Sequence, residues 1–190
     1  MSTSKKTQSK LSEIVEMPSG VDCSIEAYKV IVNGPKGSLE RQFAHPFINI
    51  AKENSSIKLE LLGKKYTKNE KRMLKTFKAH LKNMVQGVTE GYTYKLKIVS
   101  GHFPMNVSID SSNKVVIKNF LGEKVPRIAH LSPNTKAVLK GDEITIDGLD
   151  KEAAGQSAAN IERATRITNK DRRIFQDGIY IVQKPSRKLK

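Results

Sequence analysis

The stretch Asn169–Lys184 combines closely spaced cations with an apolar run, and this pattern favours contact with phosphate groups. Lys170, Arg172 and Arg173 come first, and a turn at Asp177–Gly178 leads into GIYIV, whose β-branched character is typical of a buried strand. A buried strand is rigid, so it can hold neighbouring charges in fixed positions. The forked guanidinium of arginine also matches phosphate geometry. The sequence therefore predicts that this segment presents cations from a firm scaffold to a phosphate backbone.

Charge is sorted along the chain rather than spread evenly. The formal net charge of +15 favours a polyanionic partner, which means RNA, DNA or an acidic membrane surface. Residues 63–82 contain eight Lys or Arg and one acid, residues 163–173 contain five and one, and residues 142–152 contain five acids and one Lys. One lysine-rich helix is as often a solvated face as a binding face. A second basic stretch, which is rich in arginine and lies beside a predicted strand, favours nucleic-acid binding over a solvated face.

The aromatic residues mostly alternate with apolar neighbours, so they are interpreted as core rather than as base-stacking platforms. This favours recognition of the shape and backbone of a folded RNA over reading of a single strand. The residues concerned are Tyr92, Tyr94, Phe103, Phe120, Phe175 and Tyr180.

Residues able to catalyse a reaction or to bind a metal lack the required spacing. The single cysteine, Cys23, excludes an internal disulfide and fits a reducing cytoplasm. The turn Gly34–Gly37 lacks the spacing of a phosphate-binding loop, and no Gly-x-Ser-x-Gly elbow is present. No catalytic residue, metal site, cofactor or small-molecule substrate is predicted. The four histidines, which are too scattered for a zinc site, are His45, His80, His102 and His130.

No apolar run is long enough to span a bilayer, and the first residues lack the apolar core of a secretory signal. We therefore expect no membrane partner.

The elements that must position these residues are short strands and two helices. The first helix is expected over residues 68–86, with Thr67 and Glu70 forming a capping box and Gly87 ending it. The second is expected over residues 151–166, capped by Asp150. Strands are expected at 23–28, 29–32, 38–43, 47–50, 57–61, 92–99, 107–110, 114–117, 138–140 and 144–146.

The first helix is predicted to have one apolar and one cationic face. The apolar face should consist of Met73, Leu74, Phe77, Leu81, Met84 and Val85. The opposite face, which we call the α1 stripe, is a secondary candidate for RNA binding and equally well a solvated face. It comprises Lys68, Lys71, Arg72, Lys75, Lys78 and Lys82.

The order of these elements repeats. Residues 29–32 and 114–117 lie 85 positions apart, and so do residues 59–61 and 144–146. The helix starts differ by 83 positions, and Gly91-Tyr92 precedes Gly178-Ile179-Tyr180 by 87, which suggests a closing strand in each copy. The sequence therefore predicts an α+β fold of two tandem homologous domains, each a small, mostly antiparallel sheet assembly packed with one main helix.

Four segments follow from this prediction. The two domains should cover residues 11–90 and 91–184, the second being the main RNA-binding half. Residues 1–10 should form a disordered basic extension and residues 185–190 a basic tail.

Several motifs in order resemble the large-subunit ribosomal protein family called L-six, which is protein nine in the eukaryotic cytoplasmic numbering. They are GPKGSLER (34–41), GVTEGYTYKLKIVSGHFPMNV (87–107), NFLGEKVPR (119–127), GQSAANIE (155–162) and DRRIFQDGIYIVQK (171–184). The resemblance spans about Leu11 to Lys184. The GQSAANIE and FPMN runs look more archaeal than eukaryotic.

The resemblance implies two homologous α/β domains, no catalysis, and a place in the cytoplasmic ribosome. It implies binding to large-subunit rRNA near the sarcin–ricin region and the stalk base, with neighbouring ribosomal proteins and translation GTPase factors close by. By position, Gly122, Lys124 and Arg127 belong to the family's second-unit turn, and Tyr180 belongs to its C-terminal signature. From charge and this match, the predicted rRNA-binding residues are Lys124, Arg127, Arg163, Arg166, Lys170, Arg172, Arg173, Tyr180 and Lys184.

Two alternatives remain open at the level of sequence. One is a basic assembly factor that binds the ribosome only transiently. The other, more remote, is a nucleic-acid enzyme that uses the carboxylates of residues 142–152 to hold Mg²⁺. The preferred interpretation of residues 142–152 is a solvated acidic edge that faces away from RNA or towards a protein neighbour.

Overall fold

The computed structural model describes residues 11–53, 55–62, 66–110 and 112–185. It divides into two compact units, Met1–Glu90 (unit 1) and Gly91–Lys190 (unit 2). The predicted extension over residues 1–10 lies outside the described residues. So do residues 186–190 of the predicted tail, and Lys64 and Lys65 of the first basic stretch.

Unit 1 contains two antiparallel three-stranded sheets and one long helix. The sheets have the strand orders β2-β3-β4 and β1-β6-β5. The elements are β1 (Ser12–Glu16), β2 (Asp22–Glu26), β3 (Lys29–Gly34), β4 (Gly37–Gln42), β5 (Ile48–Glu53), β6 (Ser56–Leu61) and α1 (Lys68–Thr89).

Unit 2 repeats this arrangement and adds one strand. Its sheets have the orders β10-β9-β8 and β11-β12-β7-β13, again with antiparallel pairs. The elements are β7 (Tyr92–Val99), β8 (Asn106–Asp110), β9 (Lys114–Lys118), β10 (Arg127–His130), β11 (Thr135–Lys140), β12 (Glu143–Gly148), α2 (Lys151–Ala164) and β13 (Gly178–Gln183).

The predicted α+β fold with tandem homologous units is confirmed, but one correspondence in the repeat is wrong. Residues 91–92 do not begin a closing strand of unit 1. Tyr92 pairs with Gly148 of β12, and β7 joins β12 as β1 joins β6, so β7 opens unit 2. The local likeness of two Gly-containing strand starts carries no information about hydrogen-bond partners, and strand pairing decides which unit a strand belongs to.

Helix α1 begins as predicted but ends later. The Thr67 hydroxyl accepts from the Glu70 N–H and the Glu70 carboxylate accepts from the Thr67 N–H, which confirms the capping box. Gly87 lies buried inside the helix, which continues to Thr89. Gly91, with a φ of +74°, provides the left-handed conformation that follows the helix. Met73 is 37% exposed, so it does not belong to the apolar face.

Helix α2 is capped by Asp150 as predicted, since the Asp150 carboxylate accepts from the Glu152 N–H at 3.0 Å. It ends at Ala164 rather than at Arg166. Its buried face is made of small residues, Ala154, Ser157 and Ala158, together with Ile161. Small side chains let a helix lie close to the sheet that it covers.

Each unit has its own apolar core. Tyr92, Tyr94 and Phe120 are buried as predicted, whereas Phe103 is 44% exposed and does not belong to the core. The largest fully buried side chains include Ile57, Leu59, Leu61, Leu74 and Leu81 in unit 1, and Leu96, Ile117, Phe120, Ile144, Ile146, Ile161 and Ile179 in unit 2.

The predicted buried strand GIYIV is in fact an edge strand. Within the described ranges, β13 pairs only with β7, and residue exposure along it changes from 0% at Ile179 to 59% at Val182. The end of α2 contacts β13 as far as Ile181: the Ile179 N–H donates to the Thr165 hydroxyl and the Ile181 N–H to the Glu162 carboxylate. An apolar run shows that a strand is packed, but not whether it has neighbours on both sides.

Candidate RNA-binding surface

Four of the predicted contact residues meet at one pocket of unit 2. The pocket has a volume of about 370 Å³ and lies where the end of α2, the following turn and β13 come together. Arg163, Arg166 and Arg172 are exposed, whereas Tyr180 is half-buried. The other lining residues are Ala159, Glu162, Thr165 and Ile167. The structure therefore brings together cations that are up to nine positions apart in the sequence, around a partly apolar depression.

The floor of this pocket is held by hydrogen bonds to the edge of the sheet. The Thr165 hydroxyl is buried, accepts from the Ile179 N–H at 3.0 Å and donates to the Glu162 carbonyl oxygen at 3.2 Å. The Glu162 carboxylate accepts from the Ile181 N–H at 3.2 Å through Oε1. The Tyr180 hydroxyl donates to the Gln176 carbonyl oxygen at 3.1 Å. The fixed side chains form the floor, and the arginines are left at the rim.

Arg173 lies in the same loop but is ion-paired locally. Its guanidinium is 2.8 Å from the Asp171 carboxylate, and its backbone N–H donates to the same carboxylate at 2.9 Å. The Arg173 side chain lowers the pKa of Asp171 through these hydrogen bonds. Because Arg173 is 90% exposed, this pair is solvent-screened and leaves the guanidinium accessible to a phosphate.

Lys170 is positioned by an aromatic stack that ends at a buried carboxylate. Its ammonium lies 4.6 Å from the Phe175 ring centroid, and the Phe175 and His102 rings are 4.8 Å apart. Asp177, only 2% exposed, accepts hydrogen bonds from the N–H groups of Gly101 and His102. Burial by itself would raise the pKa of Asp177, but these donors and the His102 side chain outweigh it, and the net pKa is lowered.

Arg127 is held by partners inside unit 2. Its guanidinium forms a bidentate ion pair with the Glu123 carboxylate, with N–O distances of 2.6 and 2.8 Å. The remaining nitrogen, Nη1, donates to the carbonyl oxygens of Ala164 and Arg166. Its central carbon lies 4.3 Å above the Phe120 ring. Hydrogen bonding by Arg127 lowers the pKa of Glu123. This side chain caps the end of α2 and is poorly placed to bind phosphate as well.

The remaining two predicted contacts lie outside the pocket. Lys124 is exposed in the link between β9 and β10, next to Val125, which is 76% exposed. Lys184 is exposed immediately after β13. They would extend a basic surface around the pocket rather than line it.

The α1 stripe in unit 1 is mostly exposed, but not all its members are available. Lys78 is half-buried and its ammonium lies 2.5 Å from the Glu13 carboxylate on β1. Arg72 donates a hydrogen bond to the Asn69 side chain. The five exposed members are Lys68, Lys71, Arg72, Lys75 and Lys82.

The acidic stretch does not form a metal site. Asp147 accepts a hydrogen bond from the Thr93 hydroxyl, Asp150 caps α2, and Asp142 lies in the β11–β12 turn. Among the described residues, no group of three His, Cys, Asp or Glu could hold a metal ion. Across those same ranges, none of the helices has the length and apolar character to cross a bilayer.

Sequence reasoning missed Glu162, Thr165 and Asp177, whose hydrogen bonds fix the backbone around the basic surface. Neither charge nor periodicity marks them, because their role depends on contacts with β13 and with residues 101–102. Glu162 belongs to the GQSAANIE motif, but the motif does not indicate that its carboxylate accepts a hydrogen bond from β13.

The structure defines a duplicated α+β protein with exposed cations beside α2, and comparisons with known proteins identify its family. A model of ribosomal protein L6 matches twice, at residues 17–91 and 103–178. A large ribosomal subunit protein uL6 from Methanobrevibacter smithii is 45% identical over 92% of this chain and 96% of its own length. The uL6 protein from Staphylothermus marinus is 48% identical over 89% and 92%, respectively. That from Methanothrix thermoacetophila is 46% identical over 90% and 95%.

The chain belongs to the ribosomal protein L6 family, with one match in each of its two units. It is therefore a structural protein of the large ribosomal subunit in the cytoplasm and not an enzyme. The resemblance noted from the sequence is confirmed, and the remote alternative of a magnesium-dependent enzyme is excluded.

Proposed function

We propose that unit 2 anchors the chain to folded large-subunit rRNA, close to the sarcin–ricin region and the stalk base. Ribosomal RNA and other ribosomal proteins are the partners of a ribosomal protein, and a polyanion fits the net charge of +15. The observation that carries the proposal is the convergence of Arg163, Arg166 and Arg172 on one pocket beside a rigid sheet. Lys124, Lys170, Arg173 and Lys184 extend the surface, Tyr180 forms a wall, and Arg127 holds the end of α2 in position.

The double variant Arg172→Ala/Arg173→Ala tests which cations neutralise phosphate. We expect weaker binding to large-subunit rRNA and a slope of log affinity against log salt that is shallower by about one to two, since each lost phosphate contact removes roughly 0.7–0.9 from the slope. Filter binding over a salt series measures both quantities. Circular dichroism should be nearly unchanged because both side chains are exposed.

The matched control is Lys136→Ala/Lys140→Ala, which removes the same charge from exposed positions on β11 in the same unit. Its salt slope should stay close to that of the wild type. An unchanged slope in the arginine variant would remove this segment from the interface.

The location within the subunit requires a separate measurement. Iron–EDTA tethered to a Lys184→Cys variant, with buried Cys23 replaced by Ser, should direct cleavage to the sarcin–ricin and stalk-base helices in assembled subunits. Cleavage confined to other rRNA helices would contradict the proposed location. It would also remove the reason to expect translation GTPase factors near this protein.

A further inference from the structure

The pocket beside α2 differs from a simple phosphate-binding surface. A phosphate site needs donors and positive charge, and the exposed arginines at the rim supply both. The interior contains different groups: buried Ile167, half-buried Ala159 and Tyr180, and the carboxylate of Glu162. A carboxylate repels a phosphate at close range, so the interior is unsuited to the group that the rim attracts.

The interior instead matches a nucleobase. Unstacked bases of structured RNA bind against aromatic rings and guanidinium planes, with their edges hydrogen-bonded to polar side chains. Tyr180 and the arginines offer such surfaces, and about 370 Å³ is within the range of small-molecule pockets. Among the described residues, Glu162 has a hydrogen-bond partner for Oε1 only, so its second oxygen remains an acceptor for a donor in the pocket.

The fixed geometry adds to this match. Glu162 is anchored on β13 through Ile181, and the Tyr180 ring is set by Gly178, where a Cβ atom would lie 3.0 Å from the ring. A side chain at position 178 would require the ring to shift by a few tenths of an ångström. A pre-formed pocket reduces the ordering cost of binding, which favours capture of a single small group.

We propose that this pocket captures one unpaired nucleotide extruded from the folded rRNA, with the rim arginines on its flanking phosphates and Glu162 accepting from an exocyclic amino group of its base. Cytosine, adenine and guanine carry such an amino group and uracil does not. The inference rests on the proposed rRNA-binding function and adds to it the chemistry of one recognised nucleotide.

The test uses the full ¹⁵N-labelled chain and free mononucleotides, observed through amide chemical shifts. Cytidine 5′-monophosphate should produce saturable shifts at Thr165, Ile167 and Tyr180 in the millimolar range. Uridine 5′-monophosphate should bind more weakly, and inorganic phosphate at equal ionic strength should not reproduce the shifts. Equal shifts with phosphate, equal affinity for the two nucleotides, or absence of saturation would each overturn the inference.

The variant Glu162→Gln separates base recognition from charge. The glutamine oxygen can still accept from the Ile181 N–H, but its amide group then presents donors to the pocket. We expect the affinity for cytidine 5′-monophosphate to fall about tenfold, in keeping with the discrimination that one base-edge contact provides. If the pocket attracts only charge, the same variant strengthens nucleotide binding, and that result would overturn the inference.

The matched control is Glu152→Gln, the same substitution on the same helix but away from the pocket, and it should leave the nucleotide affinity unchanged. The two proposals fail separately. A wild-type chain that binds rRNA but not mononucleotides overturns the nucleotide pocket alone. An unchanged salt slope in Arg172→Ala/Arg173→Ala overturns the proposed function.

Discussion

At the residue scale, arginines that look alike in the sequence have different tasks. Arg172 is exposed at a pocket rim, whereas the guanidinium of Arg127 is engaged by Glu123 and by two carbonyl oxygens at the end of α2. The sequence identified both as cations. It did not show that Arg127 is hydrogen-bonded to the end of α2, because the two carbonyl oxygens that accept from it lie 37 and 39 positions away.

Arg127→Ala should therefore destabilise unit 2 without changing the salt dependence of rRNA binding. Losing a charged donor to two helix-end carbonyls costs about 1–3 kcal/mol, and for a unit of this size each kcal/mol lowers Tm by about 4–8 °C. Thermal unfolding and the salt slope of rRNA binding measure the two effects. A shallower slope with an unchanged Tm would show that Arg127 contacts phosphate directly.

Asp177 makes the stability of unit 2 depend on acid. Its folded-state pKa is lowered, so it contributes stability above its unfolded pKa of about 3.9 and loses it as the pH falls through the folded value. Asp177→Asn should cost about 1–2 kcal/mol at neutral pH, and the difference from the wild type should shrink below about pH 4. Urea unfolding at several pH values measures this. Exposed Asp142→Asn is the control, and a pH-independent deficit in Asp177→Asn would contradict the assignment.

At the element scale, capping residues and helical periodicity correctly predicted where the two helices begin. The sequence did not predict every strand or the place of each strand in its sheet. The starts of α1 and α2 follow from Thr67, Glu70 and Asp150, which act within one turn. Strands β1 and β10 were not predicted, since Ser12–Glu16 and Arg127–His130 owe their conformation to partners β6 and β9. Hydrogen bonds to distant strands leave no local pattern in the sequence.

The edge position of β13 predicts opposite outcomes for two substitutions on one strand. Ile179 is fully buried, so Ile179→Asp places an unpaired charge in the core and should unfold unit 2, at a cost of several kcal/mol. Val182 is 59% exposed, so Val182→Asp should change stability by less than about 0.5 kcal/mol. Circular dichroism during urea unfolding distinguishes them. Similar losses from both would mean that β13 is covered along its whole length.

At the scale of the whole molecule, duplication was readable from the sequence but the divergence of the copies was not. Each unit keeps a three-stranded sheet, a second sheet and one helix. The copies differ in where their cations lie: those of unit 1 follow α1, whereas those of unit 2 lie around the end of α2 and in the segment after it. In unit 2 this placement coincides with a pocket that is lined by three arginines.

For the full chain, we expect a steep salt dependence of rRNA binding. If the unit 2 surface neutralises about six phosphates, log affinity should fall with log salt at a slope of about −4 to −5. A random transcript of equal length should bind more weakly at every salt concentration, because it lacks the folded shape that a rigid surface fits. Equal affinity for the two RNAs would contradict shape recognition.

The two helices share one more feature. In unit 1 the Lys36 ammonium, on the β3–β4 turn, donates to the Glu90 carbonyl oxygen just past α1, while in unit 2 Arg127, at the close of the β9–β10 link, does the same for α2. Each link thus acts as a tether: its cation holds the end of a helix against the three-stranded sheet of the same unit. In the second copy the tether adjoins Lys124 on one side and the arginine pocket on the other. Displacement of residues 119–126 would break the Arg127 hydrogen bonds to Ala164 and Arg166, so the position of this pocket wall depends on the β9–β10 link.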